Sequence, residues 1–187
     1  MTDQATTDQA TTDQATMASK LAESARKVAS AYSGGSDQPL GGYLMTMSVY
    51  SAVLCALAGA AALGGAQVPD GGLSPYEALL TAAATHKISR LITKDPVTSP
   101  LRAPFASYDG TAGPAELAEE PRGRGARKTV GELVTCPFCA SVWVATGLTA
   151  GMVFAPKVTR LVLGTFAALA GADMLQFAHA RLVKSVS

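Results

Sequence analysis

One uncharged segment, residues 44–66, limits what this 187-residue chain can fold into. It holds 23 consecutive residues without Asp, Glu, Lys or Arg. About 20 such residues in a helix cross the hydrocarbon core of a bilayer. The segment therefore predicts a membrane span. Its small residues recur at every fourth position and predict a face for close helix packing; they are Ala52, Ala56, Ala60 and Gly64.

Composition supports a membrane protein. Charged residues make up 16% of the chain, against about 25% in an ordinary soluble domain. The formal net charge of +1 gives no attraction to phosphate, so we expect no nucleic-acid partner. Three cysteines are too few for a disulfide framework. The first 20 residues are polar, and we expect no secretory signal there.

Three further segments predict spans, at 75–93, 138–155 and 158–180. The first of them begins with Ser74-Pro75-Tyr76-Glu77, a capping box with proline at the first helical position. It is also the most polar, and its cations stand near its end, where long side chains reach the headgroups. The predicted fold is all-α, an integral membrane bundle of about four helices over residues 43–184.

The remaining segments predict polar structure outside the bilayer. Residues 1–17 hold three copies of TDQAT, and we expect a disordered tail. Residues 18–42 predict an amphipathic helix followed by a linker. Residues 95–135 predict a long loop, extended at its prolines, with a short helix at 114–120 and another helix start at Thr129.

The cations predict an orientation. Lys and Arg concentrate before residue 44, in the 95–135 loop and after residue 180, whereas the 67–75 loop has none. Cytoplasmic loops of membrane proteins carry the excess of these residues. We therefore expect a multi-pass protein of the cell membrane with both termini cytoplasmic. Its expected partners are the lipid bilayer and, through the small-residue faces, itself or another membrane protein.

The motif Cys136-Pro137-Phe138-Cys139 stands where the polar loop meets the third predicted span. A helix start stabilises a thiolate, so one hypothesis is a membrane thiol–disulfide oxidoreductase using Cys136 and Cys139. A second is a zinc site completed by His86 and His179, since tetrahedral zinc takes four such ligands. The third is that two small residues simply pack at a helix start. We expect the third, with no catalytic residue and no cofactor.

Two further groups of polar residues have open interpretations. Arg90, Asp95 and Arg102 predict an ion pair that fixes the proline loop, with Asp95 pairing to one of the two arginines. The alternative is a site for an anion or lipid headgroup. Asp173 and Gln176 lie one turn apart in the fourth predicted span. A carboxylate within a span indicates a proton or cation relay. The alternative is that Asp173 lies close to the membrane surface, where it is hydrated or paired with Lys184.

Several of these residues also carry a family resemblance. The segment from Ser89 to Phe105, with its Arg-x4-Asp and Leu-Arg-x-Pro-Phe, is followed by Cys-Pro-x-Cys-x3-Trp ending at Trp143. Over roughly 76–182, this combination resembles a family of bacterial membrane proteins known as domain of unknown function 1360, which includes a small sporulation-associated protein. The resemblance implies a membrane location and no established activity. We therefore expect a structural or interaction protein rather than an enzyme.

Overall fold

The computed structural model describes residues 2–34, 38–64, 66 and 72–186. The centre of the predicted linker, at 35–37, and most of the predicted 67–75 loop lie outside the described residues. The chain forms two units, residues 1–40 and 41–187. The second unit begins within the first turn of its first helix.

The first unit is helix α1 (Thr2–Ser33). It includes residues 18–32, where we expected a helix, and also the TDQAT repeat, where we expected disorder. The physical reason for this difference is that residues 2–33 contain neither glycine nor proline, and alanine, the best helix former, recurs through the repeat. Leu21 and Val28 of this helix are exposed.

The second unit is a helical bundle with one β-hairpin. Its elements in chain order are α2 (Leu40–Leu63), α3 (Pro75–Lys94), a 3₁₀ turn (Pro96–Thr98), α4 (Ser99–Arg102), β1 (Ala106–Gly113), β2 (Glu116–Pro121), α5 (Ala126–Thr135), α6 (Pro137–Phe154) and α7 (Pro156–Val186). Among the described helices, α2, α6 and α7 are long and apolar enough to cross a membrane. Each of the four predicted spans falls on a helix. Of these four described helices, three have the length and apolar composition of a membrane span, and α3 is the fourth.

Helix α3 lies at the centre of this bundle. It starts at the predicted capping box, in which Ser74 and Glu77 bond to each other's backbone. Ala84 of α3 is fully buried and forms the core with Leu148 of α6 and Leu163 of α7. Because α6 and α7 cover two of its sides, α3 can carry more polar residues than its neighbours.

Ion pairs and ring contacts define how the helices run. α3 and α7 are parallel, since Glu77 pairs with Arg160 at 3.0 Å near both starts and Lys87 pairs with Asp173 at 2.6 Å further along. α6 and α7 are antiparallel, because one residue joins them at Ala155. α2 lies beside α6, where the Tyr50 ring meets Trp143 edge-on at 5.1 Å.

Residues 96–135, from the 3₁₀ turn through α5, differ from the predicted extended loop; we call them the hairpin segment. The helix predicted at 114–120 is wrong, because these residues include strand β2, antiparallel to β1. Ala115 sits at the turn with φ +59°, which a helix there would not allow. The predicted helix start at Thr129 is also displaced, since α5 begins at Ala126 after Gly125.

Gly131 of α5 generates a prediction, because a Cβ there would lie 2.6 Å from the Phe105 carbonyl oxygen. Gly131→Ala should lower the free energy of unfolding by about 1–3 kcal/mol, since backbone must move to admit the methyl group. Gly147→Ala on α6 is the matched control, with nothing within 4 Å. It should be neutral or stabilising. Denaturation in non-ionic detergent measures both, and equal effects would contradict this account of the packing.

Candidate functional site

The end of α3 is closed by one buried arginine, Arg102 of α4. Its side chain is 1% exposed and forms an ion pair with Glu119 of β2. The same guanidinium donates hydrogen bonds to the Ile92 carbonyl at 2.8 Å, the Asp95 carbonyl at 3.0 Å and the Thr98 hydroxyl at 2.6 Å. The last carbonyls of a helix have no partner within the helix. Arg102 therefore binds the end of α3 and the hairpin at once.

Two short side chains complete this helix end. The Thr98 hydroxyl donates to the Leu91 carbonyl at 2.5 Å. The Asp95 carboxylate accepts the Val97 N–H at 2.9 Å and so caps the 3₁₀ turn. Both contacts hold the 3₁₀ turn against the end of α3.

The partners of the two arginines differ from those predicted. We expected Asp95 to pair with Arg90 or Arg102, but Arg102 pairs with Glu119, and Arg90 forms a two-point contact with Glu116 at 2.7 and 2.5 Å. The reason is local: the Asp95 carboxylate caps the 3₁₀ turn, and β2 supplies both glutamates. Sequence reasoning missed these glutamates because it assigned them to a helix.

A cavity of about 500 Å³ lies between α3, the β1–β2 turn and α7; we call it the polar pocket. The Lys87–Asp173 and Arg90–Glu116 pairs both line it. Asp173 thus faces Lys87, not the predicted Lys184. Other lining residues include two predicted site residues and one histidine: Asp95, Gln176 and His86.

The cysteine motif forms the bend between α5 and α6. Cys136 caps α6, and its Sγ accepts the Cys139 N–H at 3.3 Å. Cys136 is partly buried, Cys139 is exposed, and both are free thiols. Glu132 of α5 lies within electrostatic range of the Cys139 thiol. Among the described residues, its buried Oε2 has no hydrogen-bond partner. The cysteine pair therefore lies at the α5–α6 bend, beside a carboxylate of α5.

The alternative zinc site is not assembled. Within the described part of the chain, no three His, Cys, Asp or Glu side chains are grouped closely enough to hold a metal ion. His86 lines the polar pocket on α3, and His179 lies on α7. Cys136 and Cys139 stand instead at the start of α6.

The comparison with protein families gives one match. The model of the family described as "Protein of unknown function (DUF1360)" matches residues 79–179, more than half of the chain. The chain belongs to the DUF1360 family. No curated protein and no solved structure matches it. The matched region of this DUF1360 protein contains most of α3, the hairpin segment and α6, and therefore the Arg102 contacts, the polar pocket and the cysteine motif.

The contact between Arg102 and Glu119 generates a prediction for this DUF1360 protein. Glu119→Gln removes the carboxylate and leaves the buried guanidinium charge unpaired, which costs about 3–5 kcal/mol when a buried pair is broken. The matched control is Glu120→Gln, one residue along β2 and exposed. It should change the free energy of unfolding little. Denaturation in detergent compares the two, and a small effect at both positions would refute the importance of the pair.

Proposed function

We propose that this DUF1360 protein is a non-catalytic component of a membrane assembly, and that α2 binds a second membrane helix. The observation that carries the proposal is the position of the small residues on α2. Ala52, Ala56 and Ala60 on α2, and Gly64 directly after it, are exposed. None of the most apolar window of α2 is buried within the chain.

The two faces of α2 differ in what they contact. Leu57, Ala58 and Ala61 line a groove of about 410 Å³ shared with α6. Ala56 and Ala58 stand about 200° apart around the helix, because each residue turns it by about 100°. Ala52 and Ala56 therefore occupy the face opposite α6, and Ala60 lies beside that face. That face is available to a helix from outside the chain.

Physical reasoning favours a helix as the occupant of this face. Lipid tails are as apolar as the helix surface, so burial from water does not drive association within the bilayer. Small side chains allow two backbones to approach closely, which increases van der Waals contact and drives pairing. A ridge of alanine and glycine is the surface that gains most from a second helix.

In the proposed arrangement α3 is a fourth span, and the hairpin segment lies in the cytoplasm. Twenty residues of α-helix measure about 30 Å, the thickness of the hydrocarbon core. Ion pairs with Asp173 and Glu116 offset the desolvation of Lys87 and Arg90. The hairpin segment carries a run of cations, which favours its cytoplasmic placement; they are Arg122, Arg124, Arg127 and Lys128.

Cysteine cross-linking tests the proposed helix contact. In a chain whose three cysteines are changed to serine, Ala56→Cys should form an intermolecular disulfide when membranes are oxidised. Ala58→Cys is the matched control, with the same substitution at nearly the same depth but facing α6. It should give several-fold less product. A product of twice the chain mass identifies a second copy, and another mass identifies a different protein. Equal yields, or none at Ala56, would refute the proposal.

A thiol–disulfide oxidoreductase is a second candidate, favoured by the hydrogen bond from the Cys139 N–H to the Cys136 Sγ. In this candidate, the Cys136 thiolate attacks a disulfide of a partner protein and releases one partner thiolate. The Cys139 thiolate then attacks the mixed disulfide. The partner leaves as a dithiol. Its two-electron reduction is matched by the oxidation of Cys136 and Cys139 to a disulfide.

Alkylation of acid-quenched cells separates the two candidates. The non-catalytic proposal expects both thiols to react with the alkylating reagent before any reductant is added, because neither is consumed in turnover. It also expects the Ala56→Cys cross-link to form in the chain in which Cys136 and Cys139 are already changed to serine. A reversible Cys136–Cys139 disulfide, together with a partner trapped by Cys139→Ser, would favour the oxidoreductase.

A further inference from the structure

We propose that the polar pocket binds an organic ammonium group carried on a short apolar body. The pocket is bounded by α3, the β1–β2 turn and α7 and measures about 500 Å³. That volume is within the range of small-molecule sites. The inference rests on the lining of the pocket and is independent of the helix contact proposed for α2.

Both cations inside the pocket are paired with carboxylates. Lys87 contacts Asp173 at 2.6 Å, and Arg90 contacts Glu116 at 2.7 and 2.5 Å. Each pocket cation is therefore neutralised by its own carboxylate. These pairs also join α7 and the β1–β2 turn to α3, which gives the pocket fixed walls.

Asp95 supplies a third carboxylate to the lining, and no lining cation is left for it. Its Oδ1 accepts the Val97 N–H. Within the described residues, its Oδ2 accepts no hydrogen bond. Apart from His86, the lining has three carboxylates and two cations, a formal charge of −1 that favours a cation as the ligand.

The apolar part of the lining indicates what kind of cation fits. Leu91, Met174 and Phe177 contribute apolar surface beside the charged groups. An aromatic ring attracts ammonium groups through its negative face. A cation with alkyl substituents can therefore contact Phe177 and Met174 while its charge faces Asp95.

Other ligand classes fit less well. An anion would have to displace Asp173 or Glu116 from its cation, in a pocket that is already negative. A multivalent metal ion needs several grouped ligands, and no group of three is present among the residues described. The remaining class is the alkylated or primary ammonium group. It is carried by amine-headed bilayer lipids and by free amines.

Titration with two probes of opposite charge tests the proposal. Full-length protein in non-ionic detergent is titrated calorimetrically with butyltrimethylammonium and, separately, with butyl sulfate. The ammonium should bind saturably and the sulfate should not. Tighter binding of butyl sulfate, or no saturable binding of the ammonium, would overturn the proposal.

Three variants locate the binding. Asp95→Asn should weaken ammonium binding roughly fivefold, as loss of one partly solvated charge interaction. Asparagine still accepts the Val97 N–H, so the fold is retained. Phe177→Leu should also weaken binding, because the ring is lost while the apolar contact stays. Asp109→Asn, an exposed carboxylate of β1 outside the pocket, should bind as the wild type does. Unchanged binding by Asp95→Asn, or an equal loss with Asp109→Asn, would refute the site.

Nanodiscs distinguish the two sources of the ammonium group. The discs contain the same fraction of phosphatidylglycerol, and so the same surface charge, and are completed with a neutral glycolipid or with phosphatidylethanolamine. An amine-headed lipid in the pocket should compete, so butyltrimethylammonium should bind in the glycolipid discs and more weakly in the phosphatidylethanolamine discs. A free amine as the natural ligand should give equal binding in both. Absence of binding in both kinds of disc would contradict the proposal. None of these outcomes depends on the cross-link from Ala56→Cys, so the two proposals fail separately.

Discussion

The structure beyond α3 depends on the guanidinium of Arg102. The end of a helix leaves carbonyl groups that need donors, and the chain must also turn after α3 to form the hairpin segment. Arg102 meets both requirements, since it binds carbonyls at the end of α3 and pairs with Glu119 on β2. Guanidinium suits this role better than ammonium, because its planar donors reach several acceptors in fixed directions.

The same contact determines the geometry of the polar pocket. Glu119 and Glu116 are on one short strand, so the Arg102 contact with Glu119 also positions Glu116 against Arg90. Glu116 in turn forms part of the pocket lining, directly after the positive-φ residue Ala115. The strained turn at Ala115 is therefore held in place by the Arg90–Glu116 and Arg102–Glu119 ion pairs. Backbone strain of this kind persists only where the surrounding structure determines it.

Helix α3 explains which parts of the fold could be predicted from sequence. Its start was predictable, because the Ser74–Glu77 capping box is a local signal and is confirmed. The apolar spans were also predictable, since length and absence of charge fall in one continuous segment. The hairpin was not predicted, although Gly113-Pro114 is a turn signal between two short segments. Its glutamates resemble those of a surface helix until their distant arginine partners are known.

The candidate site shows the same division between local and distant information. Arg90, Asp95 and Arg102 were identified from the sequence as a charged group at the end of α3. The carboxylate partner of Arg102 lies 17 residues away in the sequence, and the partner of Arg90 lies 26 residues away. Spacing along one helix could not reveal these pairs. Nor could it reveal that Lys87 meets Asp173, 86 residues later, because that contact requires α3 and α7 to run parallel.

The extent of the family match separates two parts of the molecule. Residues 79–179 contain the Arg102 contacts, the polar pocket and the cysteine motif, whereas α2 lies before them. The pocket can form without α2, because its walls come from α3, the hairpin and α7. Conversely, Ala52 and Ala56 of α2 face away from α6, and α2 contributes no residue to the pocket lining. Ligand binding and helix pairing are thus physically separable, and a partner could occupy α2 without altering the charges around Asp95.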